Sequence, residues 1–186
     1  MKKVFDVFLS SAALAVFGIP MLAVALIVRL TSPGPALHWS DRVGRGNNIF
    51  RMPKFRTMRV DTPPMATHLM TQPEKFLTPI GSFLRKTSLD ELPQLFSILN
   101  GDMSFVGPRP ALFNQEDLIS LRTAKKIHSM LPGLTGWAQV NGRDELTVPE
   151  KVNYDEYYLK NRSLALDFRI LILTVKQALI GKGVRH

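Results

Sequence analysis

The stretch VFLSSAALAVFGIPMLAVALIV, from Val7 to Val28, is the most hydrophobic part of the chain and decides its fold. It runs for 22 residues without a charged side chain, and a helix of roughly 20 apolar residues is long enough to cross a bilayer. A cleaved signal peptide usually has a shorter apolar core, of about 7–15 residues, with a small-residue cleavage motif after it. A buried core helix is rarely so long and uniform in a chain of 186 residues. We therefore predict a membrane-anchoring helix over residues 1–30.

Pro20 interrupts this run, two residues after Gly18. Proline removes one backbone hydrogen bond and clashes with the carbonyl four residues earlier, so we predict a kink at Pro20. Basic residues flank the run on both sides, and positive charge marks the cytoplasmic side of a membrane segment. These residues are Lys2, Lys3, Arg29, Arg42 and Arg45. Because both ends are then cytoplasmic, we predict a re-entrant, monotopic helix; a single kinked span is the alternative.

The charge of the chain points to anionic partners. There are 24 Lys and Arg against 15 Asp and Glu, a formal net charge of +9. Such a balance favours phosphorylated small molecules, an anionic membrane surface or nucleic acid. The chain has no cysteine, which excludes disulfides and thiolate metal sites and fits a cytosol-facing protein. Its four histidines lack metal-ligand spacing, and the sequence contains no D-x-D, phosphate-loop or dinucleotide-binding motif.

Residues 31–186 are predicted to form a cytoplasm-facing domain of mixed α/β class that is mainly helical. The segments ALHWSDRV (36–43) and IFRMPKFRTMRV (49–60) surround the turn GRGNN, which predicts a small β-hairpin with Pro53 at an edge or bulge. Helical spacing and terminus signals predict five helices. They are IGSFLRK (80–86) behind an N-cap at Thr78, LPQLFSILN (92–100) with a stop at Gly101, Asn114–Leu131, EKVNYDEYYLKN (150–161) and Ser163–Ile180. The last either packs on the core or lies in the membrane interface as an amphipathic helix.

The segment KTSLDELPQL, from Lys86 to Leu95, carries two neighbouring acids, Asp90 and Glu91. Ser88-x-x-Glu91 matches a capping box, but with Ser88 as N-cap Pro93 falls at the fifth helical position, where a backbone bond is lost. With Asp90 as N-cap, Pro93 falls at the third position, where the amide is unbonded anyway. We therefore predict Asp90 as the N-cap, with both acids at the positive end of a helix, which favours their ionised forms.

Two ionised carboxylates near basic residues suit Mg²⁺, and an ionised aspartate is also a competent nucleophile toward phosphorus. Spacing alone does not choose between metal ligand and nucleophile. Basic residues in nearby motifs are candidate phosphate ligands, although each alone reads as a surface charge. They are Lys54, Arg56, Arg85, Arg109 (between Pro108 and Pro110) and Arg143. The glycine-rich PGLTGWAQVNGR (132–143), with Gln139 and Asn141, is predicted to approach a ligand through its backbone.

Three motifs in order, KFRTM (54–58), LRKTSLDELPQLFSILNGDMSFVGPRP (84–110) and PGLTGWAQVNGR, resemble the bacterial sugar transferase family. The hydrophobic N-terminal segment and YDEYYLKNRSLALDFRILILT (154–174) also fit, so the resemblance runs from about Lys2 to the C-terminus. The chain resembles the short form, the monotopic phosphoglycosyl transferases. It differs at the break in its membrane helix, where Ile19-Pro20 stands in place of the usual Ser-Pro, and at Leu131, where an arginine is common.

The resemblance implies that a UDP-sugar donates a sugar-1-phosphate to polyprenol (undecaprenyl) phosphate, with release of UMP, as the first membrane step of glycoconjugate biosynthesis. Asp90 would form a covalent phosphosugar intermediate, and Glu91 would assist Mg²⁺ or act as a base. Phosphates would be held by Lys54, Arg85, Arg109 and Arg143, and the nucleotide by Gln139 and Asn141. The catalytic domain, with membrane-interface helices, would lie on the cytoplasmic face of the bacterial inner membrane.

The resemblance also implies partners: the donor, the acceptor, the lipid bilayer and downstream glycosyltransferases, with no nucleic acid beyond the nucleotide donor. Two other functions remain open. One is a non-catalytic, basic membrane-surface binding module, which predicts salt-sensitive binding and no role for the acids. The other is a membrane phosphatase with Asp90 as nucleophile and water as acceptor.

Overall fold

The computed structural model describes residues 2–62, 73–142 and 145–180. About 60% of the described residues are helical, and the same residues contain two small two-stranded sheets. The elements, in chain order, are α1 (Lys2–Thr31), β1 (Leu37–Val43), β2 (Ile49–Phe55), α2 (Gly81–Thr87), α3 (Gln94–Asn100), β3 (Ser104–Val106), α4 (Glu116–Ala124), β4 (Gly133–Thr135), α5 (Trp137–Val140), α6 (Val148–Asn161) and α7 (Leu164–Ile180). Short 3-10 turns at Arg45–Asn47, Pro73–Phe76, Leu89–Glu91 and Ile127–Ser129 connect them.

Helix α1 confirms the predicted apolar helix, with 30 residues and Pro20 inside it. By length and composition it is able to cross a membrane. One face lies along the rest of the protein, where Met21 and Val28 are buried against Phe55 and Leu84. The opposite face is apolar and exposed along the whole helix, from Val4, Phe8 and Val16 to Leu22, Leu26 and Leu30. The kink at Pro20 and the re-entrant path stay predictions.

The predicted hairpin is confirmed. Strands β1 and β2 pair antiparallel, from Leu37 opposite Phe55 to Val43 opposite Ile49. Because this sheet has two strands, each is an edge strand, which explains why Pro53 is tolerated opposite Trp39.

The core lies between the hairpin, α3, β3, β4 and the helices α4, α6 and α7. Its buried members include Ile98, Phe105, Ile127, Val152 and Ile170. Helix α7 is a packed core helix on the face that carries Ile170, while Phe168, Ile172 and Val175 leave its other face apolar and exposed. The structure therefore confirms that α7 packs on the core, and a membrane-interface position for its outer face stays a prediction.

Several helix boundaries differ from the predictions, and two of the differences have a clear cause. Thr78 is not an N-cap: α2 begins at Gly81 behind Ile80, and the Thr78 hydroxyl instead donates a hydrogen bond to the Thr57 carbonyl. The predicted helix Asn114–Leu131 is shortened to α4 because Lys126 adopts a left-handed conformation, with φ of 60°, which no helix continues through. Gly101 ends α3 with φ of 86°, as predicted.

The glycines of PGLTGWAQVNGR pack against another backbone segment. The Gly107 amide donates a hydrogen bond to the Thr135 carbonyl, and the Gly133 amide donates to the Pro108 carbonyl, each at 2.9 Å. A Cβ atom on Gly133 would lie 2.1 Å from the Gly107 nitrogen, and one on Gly136 would lie 2.1 Å from the Gly107 oxygen. These glycines allow the segment before Arg109 to pair closely with β4, and the approach of this loop to a ligand stays a prediction.

Candidate active site

The two acids lie on a short turn between α2 and α3. Ser88 adopts a left-handed conformation, with φ of 56°, that ends α2 and redirects the chain into the turn Leu89–Glu91. Leu89 and Leu92 pack beside the core cluster under α1 and hold the turn in place. Helix α3 begins only at Gln94. The predicted role of Asp90 as the N-cap of a helix is therefore wrong.

Asp90 is buried, with 8% of its surface exposed, in a ring of basic side chains. Lys54 from β2, Arg85 from α2 and Arg109 from the loop after β3 all act electrostatically on its carboxyl group. Arg109 also donates a hydrogen bond from Nη2 to Oε1 of Glu91 at 2.8 Å. Residues far apart in the chain, including three of the predicted phosphate ligands, thus meet at the acid pair.

Burial dominates the ionisation of Asp90. Desolvation raises its pKa to about 6, and the negative charge of Glu91 acts in the same direction, against the pull of Lys54, Arg85 and Arg109. The expected preference of the helix end for ionised acids is therefore wrong for Asp90, since a three-residue turn supplies too small a dipole to offset desolvation. At pH 7 the carboxyl is still about tenfold more often ionised than protonated.

The cations crowd one another. Burial and the nearby Arg42 lower the pKa of Lys54, while burial and Arg109 lower the pKa of Arg42 to about 10. Like charges held this close in a partly buried site repel, and an anion that enters relieves the repulsion. The cluster is therefore suited to bind a multiply charged anion such as a diphosphate.

Arg42 lies in this cationic cluster, although it is not among the site residues predicted from the sequence. It was counted only as a flanking charge, yet its Nε donates to Ser40 Oγ at 3.1 Å and its Nη1 to the Pro110 carbonyl at 3.2 Å. The hairpin does contain a signal for this position. His38 lies opposite Lys54, and the residues two and four positions after His38 lie on the same face of the strand as His38. The alternation of β1 therefore places Arg42 on the Lys54 face.

Arg56, another predicted phosphate ligand, has a different environment. Its buried guanidinium donates to the Pro33 carbonyl and, at 2.7 Å, to the Ser32 carbonyl, just beyond the end of α1. Arg85, by contrast, donates from Nε to Thr57 Oγ1 at 3.0 Å beside the acid turn. Arg56 thus anchors the chain at the end of α1, and its predicted binding of phosphate stays a prediction.

The predicted nucleotide residues are spread over and around α5. Gln139 is buried, and neither polar atom of its side chain has a hydrogen-bond partner among the described residues. Asn141 is exposed and donates from Nδ2 to the Trp137 carbonyl at 2.7 Å. Arg143 lies outside the described residues. Their part in nucleotide binding stays a prediction.

The acid pair fits the predicted metal by the chemistry of its donors. Within the described ranges no group of three or more His, Cys, Asp or Glu residues is placed to enclose a metal ion. Mg²⁺ does not need such a cage, because it commonly binds through one or two carboxylates together with substrate phosphates and water. Asp90 and Glu91 supply that number of carboxylates, beside cations that attract the phosphates.

A buried carboxyl of raised pKa that is surrounded by cations is typical of a functional site. Comparison with known proteins agrees. The chain belongs to the bacterial sugar transferase family, which matches residues 1–181. The family predicted from the sequence motifs is therefore confirmed.

Several curated relatives are similar over most of this chain. The UDP-N-acetylgalactosamine-undecaprenyl-phosphate N-acetylgalactosaminephosphotransferase of Aeromonas hydrophila is 36% identical over 99% of this chain and 45% of its own length. The UDP-glucose:undecaprenyl-phosphate glucose-1-phosphate transferase of Xanthomonas campestris is 44% identical over 86% of this chain and 34% of its own length. The uncharacterized sugar transferase EpsL of Bacillus subtilis is 37% identical over all of this chain and 91% of its own. The chain thus spans less than half of the two longer relatives and nearly all of EpsL.

Proposed function

We propose that this protein is a phosphoglycosyl transferase that moves a sugar-1-phosphate from a UDP-sugar to polyprenol phosphate and releases UMP. The observation that carries the proposal is Asp90, buried within reach of Lys54, Arg85 and Arg109 and followed directly by the ion-paired Glu91. The relatives named for transfer of a sugar phosphate to undecaprenyl phosphate support the same reaction.

In the first step, an Oδ atom of Asp90 attacks the β-phosphorus of the UDP-sugar. The bond from that phosphorus to the bridging oxygen breaks, UMP leaves with the bond's electrons, and an aspartyl phosphosugar remains. Lys54, Arg85 and Arg109 offset the repulsion between the carboxylate and the diphosphate and stabilise the charge that develops on the leaving UMP.

In the second step, a phosphate oxygen of polyprenol phosphate attacks the same phosphorus. The bond to Asp90 breaks, the carboxylate is restored, and the product is a polyprenol diphosphate sugar. Asp90 and Glu91 would hold Mg²⁺, which when bound neutralises phosphate charge. Glu91 is oriented by Arg109, so its carboxylate is fixed beside the nucleophile in both steps.

We propose that the helix is monotopic and that the catalytic domain lies on the cytoplasmic face of the inner membrane. Both ends of α1 are bonded to the same folded body: Lys2 donates to Asp167 of α7 at 2.5 Å, and Arg56 donates to the Ser32 carbonyl just beyond Thr31. The ends of a helix that crosses a bilayer lie on opposite faces, which this arrangement does not favour. The basic flanks then assign both ends to the cytoplasm.

The test is incubation of the detergent-solubilised protein with a panel of UDP-sugars, with Mg²⁺ and without acceptor. We expect one equivalent of UMP per enzyme, a mass increase of one sugar phosphate on the peptide containing Asp90, and loss of both in Asp90→Asn. Addition of polyprenol phosphate should then give turnover. Full turnover by Asp90→Asn would refute the nucleophile, and release of free sugar phosphate without lipid would indicate the phosphatase instead.

A further inference from the structure

The segment that carries Arg109 is held through its backbone carbonyls. Each of four successive carbonyls accepts a hydrogen bond from a different residue, and these donors come from three parts of the chain: the end of β1, α4 and β4. The donors are Gly133 N to Pro108 O (2.9 Å), Arg122 Nη1 to Arg109 O (2.8 Å), Arg42 Nη1 to Pro110 O (3.2 Å) and Val43 N to Ala111 O (3.0 Å). With a proline on either side, the backbone of Arg109 is fixed.

Of the two side-chain donors in this set, Arg42 belongs to the cationic cluster of the site and Arg122 does not. Its side chain extends from α4 and is buried, and its Nε and Nη2 atoms donate to Oδ2 of Asp155 on α6, at 3.0 and 2.6 Å. Asp155 has 1% of its surface exposed. The third nitrogen, Nη1, reaches the Arg109 carbonyl. The buried ion pair thus fixes one guanidinium so that it presents a donor to the backbone of a site residue.

We propose that Arg122, held by Asp155, is a positioning residue that sets Arg109 against Glu91 and the substrate phosphate. The inference rests on the proposed function, because it gives Arg109 a phosphate to bind. Arg122 acts only through the peptide group of Arg109, and a guanidinium suits this task because its planar fork serves two partners in fixed directions. Lysine offers a single ammonium and cannot span both.

A double variant distinguishes the positioning role from a plain structural role. A buried ion pair is often no more stabilising than apolar side chains of similar volume, so Arg122→Met combined with Asp155→Leu should keep the protein folded. The same double variant removes the donor to the Arg109 carbonyl. We expect its melting temperature to stay within a few degrees of wild type while kcat for UMP release with acceptor falls about tenfold or more.

The control is the neighbouring ion pair between the end of α4 and α6. Lys125, the residue after α4, donates to Oε2 of Glu156 on α6 at 2.6 Å, and both side chains are partly exposed. Lys125→Met combined with Glu156→Leu should leave UMP release at the wild-type rate. Loss of activity equal to that of the Arg122 and Asp155 variant would show that any disturbance between α4 and α6 suffices, and would overturn the inference.

A double-mutant cycle with Arg109→Ala gives the decisive readout. If Arg122 acts through Arg109, removing the Arg122–Asp155 pair in the Arg109→Ala background costs no further activity, whereas independent effects multiply. Multiplying losses would sink the proposal. If the apolar double variant does not fold, Arg122→Lys and Asp155→Asn enter the same cycle, with partial loss expected for each.

UDP affinity is measured by calorimetry on the same variants, so the inference is tested even without turnover. We expect UDP to bind about tenfold more weakly to Arg109→Ala and to the Arg122 and Asp155 variant, and no more weakly when the changes are combined. A wild type that binds UDP but transfers nothing contradicts the proposed function alone. A wild type that transfers sugar phosphate, with variants equal to it in rate and affinity, contradicts the positioning role alone.

Discussion

Lys2 and Asp167 are 165 positions apart in the chain, yet the Lys2 ammonium donates to the Asp167 carboxylate at 2.5 Å. Tyr158 donates its hydroxyl to the other oxygen of the same carboxylate, also at 2.5 Å. Asp167 is buried, so its charge is stabilised by these two donors rather than by water. The start of the apolar helix α1 is thereby fixed to α6 and α7.

Removing this carboxylate should loosen the attachment of α1. Asp167→Ala leaves the Tyr158 hydroxyl and the Lys2 ammonium without their acceptor, and hydrogen bonds to charged groups contribute about 1.5–3 kcal/mol each. Because Lys2 is partly exposed, we expect a total loss of about 2 kcal/mol in the free energy of unfolding. This corresponds to roughly 4–8 °C in melting temperature for a domain of this size. An unchanged melting temperature would show that the contact does not hold α1.

The activity should depend on pH through Asp90. Its pKa is about 6, and only the carboxylate attacks phosphorus, so kcat/KM should rise with pH to a plateau above about 6 and fall tenfold per unit below it. Lys54→Met removes a charge that lowers this pKa, so the midpoint should move to higher pH. A pH profile of UMP release measures both, and a midpoint that moves down in Lys54→Met would contradict the assignment.

Asp90→Asn should stabilise the protein while it abolishes activity. Folding raises the pKa of the Asp90 carboxyl from 3.8 to about 6. The group therefore contributes a stability that is fully present below pH 3.8 and is lost as the pH rises through 6. Asparagine resembles the protonated acid and avoids that loss, so the variant should gain about 2–3 kcal/mol at pH 7.5. The gain should shrink below pH 6 and vanish near pH 3.8. Thermal unfolding at both ends of this range checks the sign.

Arg42 should contribute to donor binding. Arg42→Met removes a cation beside Lys54 and Arg109, and we expect UDP affinity to fall about tenfold. Arg51→Met is the matched control, because Arg51 lies in the same hairpin, is exposed, and contacts the Trp39 ring at 5.3 Å instead of the cluster. Calorimetry with UDP compares the two, and equal losses would mean that only the net charge of the hairpin matters.

Gly133 should not tolerate a side chain. In Gly133→Ala the added Cβ would lie 2.1 Å from the Gly107 nitrogen, where only backbone movement provides room. We expect a loss of about 1–3 kcal/mol in the free energy of unfolding, together with reduced activity, since the displaced backbone leads to Arg109. Gly18→Ala is the control, because a Cβ atom added there would have no described neighbour within 4 Å; its melting temperature should not fall.

The elements with strong local signals could be predicted from the sequence. The uncharged run of α1, the alternation around Pro53 and the stop at Gly101 each reflect local chemistry, and the structure has a helix, a hairpin and a helix end at these places. The boundaries of α2 and α4 could not be predicted, because they depend on the Thr78 contact with Thr57 and on the left-handed Lys126.

Two segments with the same capping-box pattern show why local signals fail at the site. In Thr147-x-x-Glu150 the box forms, with both reciprocal hydrogen bonds at the start of α6. In Ser88-x-x-Glu91 it does not, because Ser88 is left-handed and the Glu91 carboxylate is bonded to Arg109, 18 positions along the chain. The candidate acids could thus be named from sequence. The burial that sets the pKa of Asp90 and the contact of Arg42 with the Pro110 carbonyl required the tertiary structure.

The bond between Lys2 and Asp167 also has a consequence for how the protein is made. Lys2 leaves the ribosome 165 residues before its partner, a delay of roughly 10–30 s at ordinary rates of translation. During that time α1 is complete but has no α7 to dock on. The membrane anchor proposed above would therefore enter lipid first, and the later elements would fold beside a helix already in place.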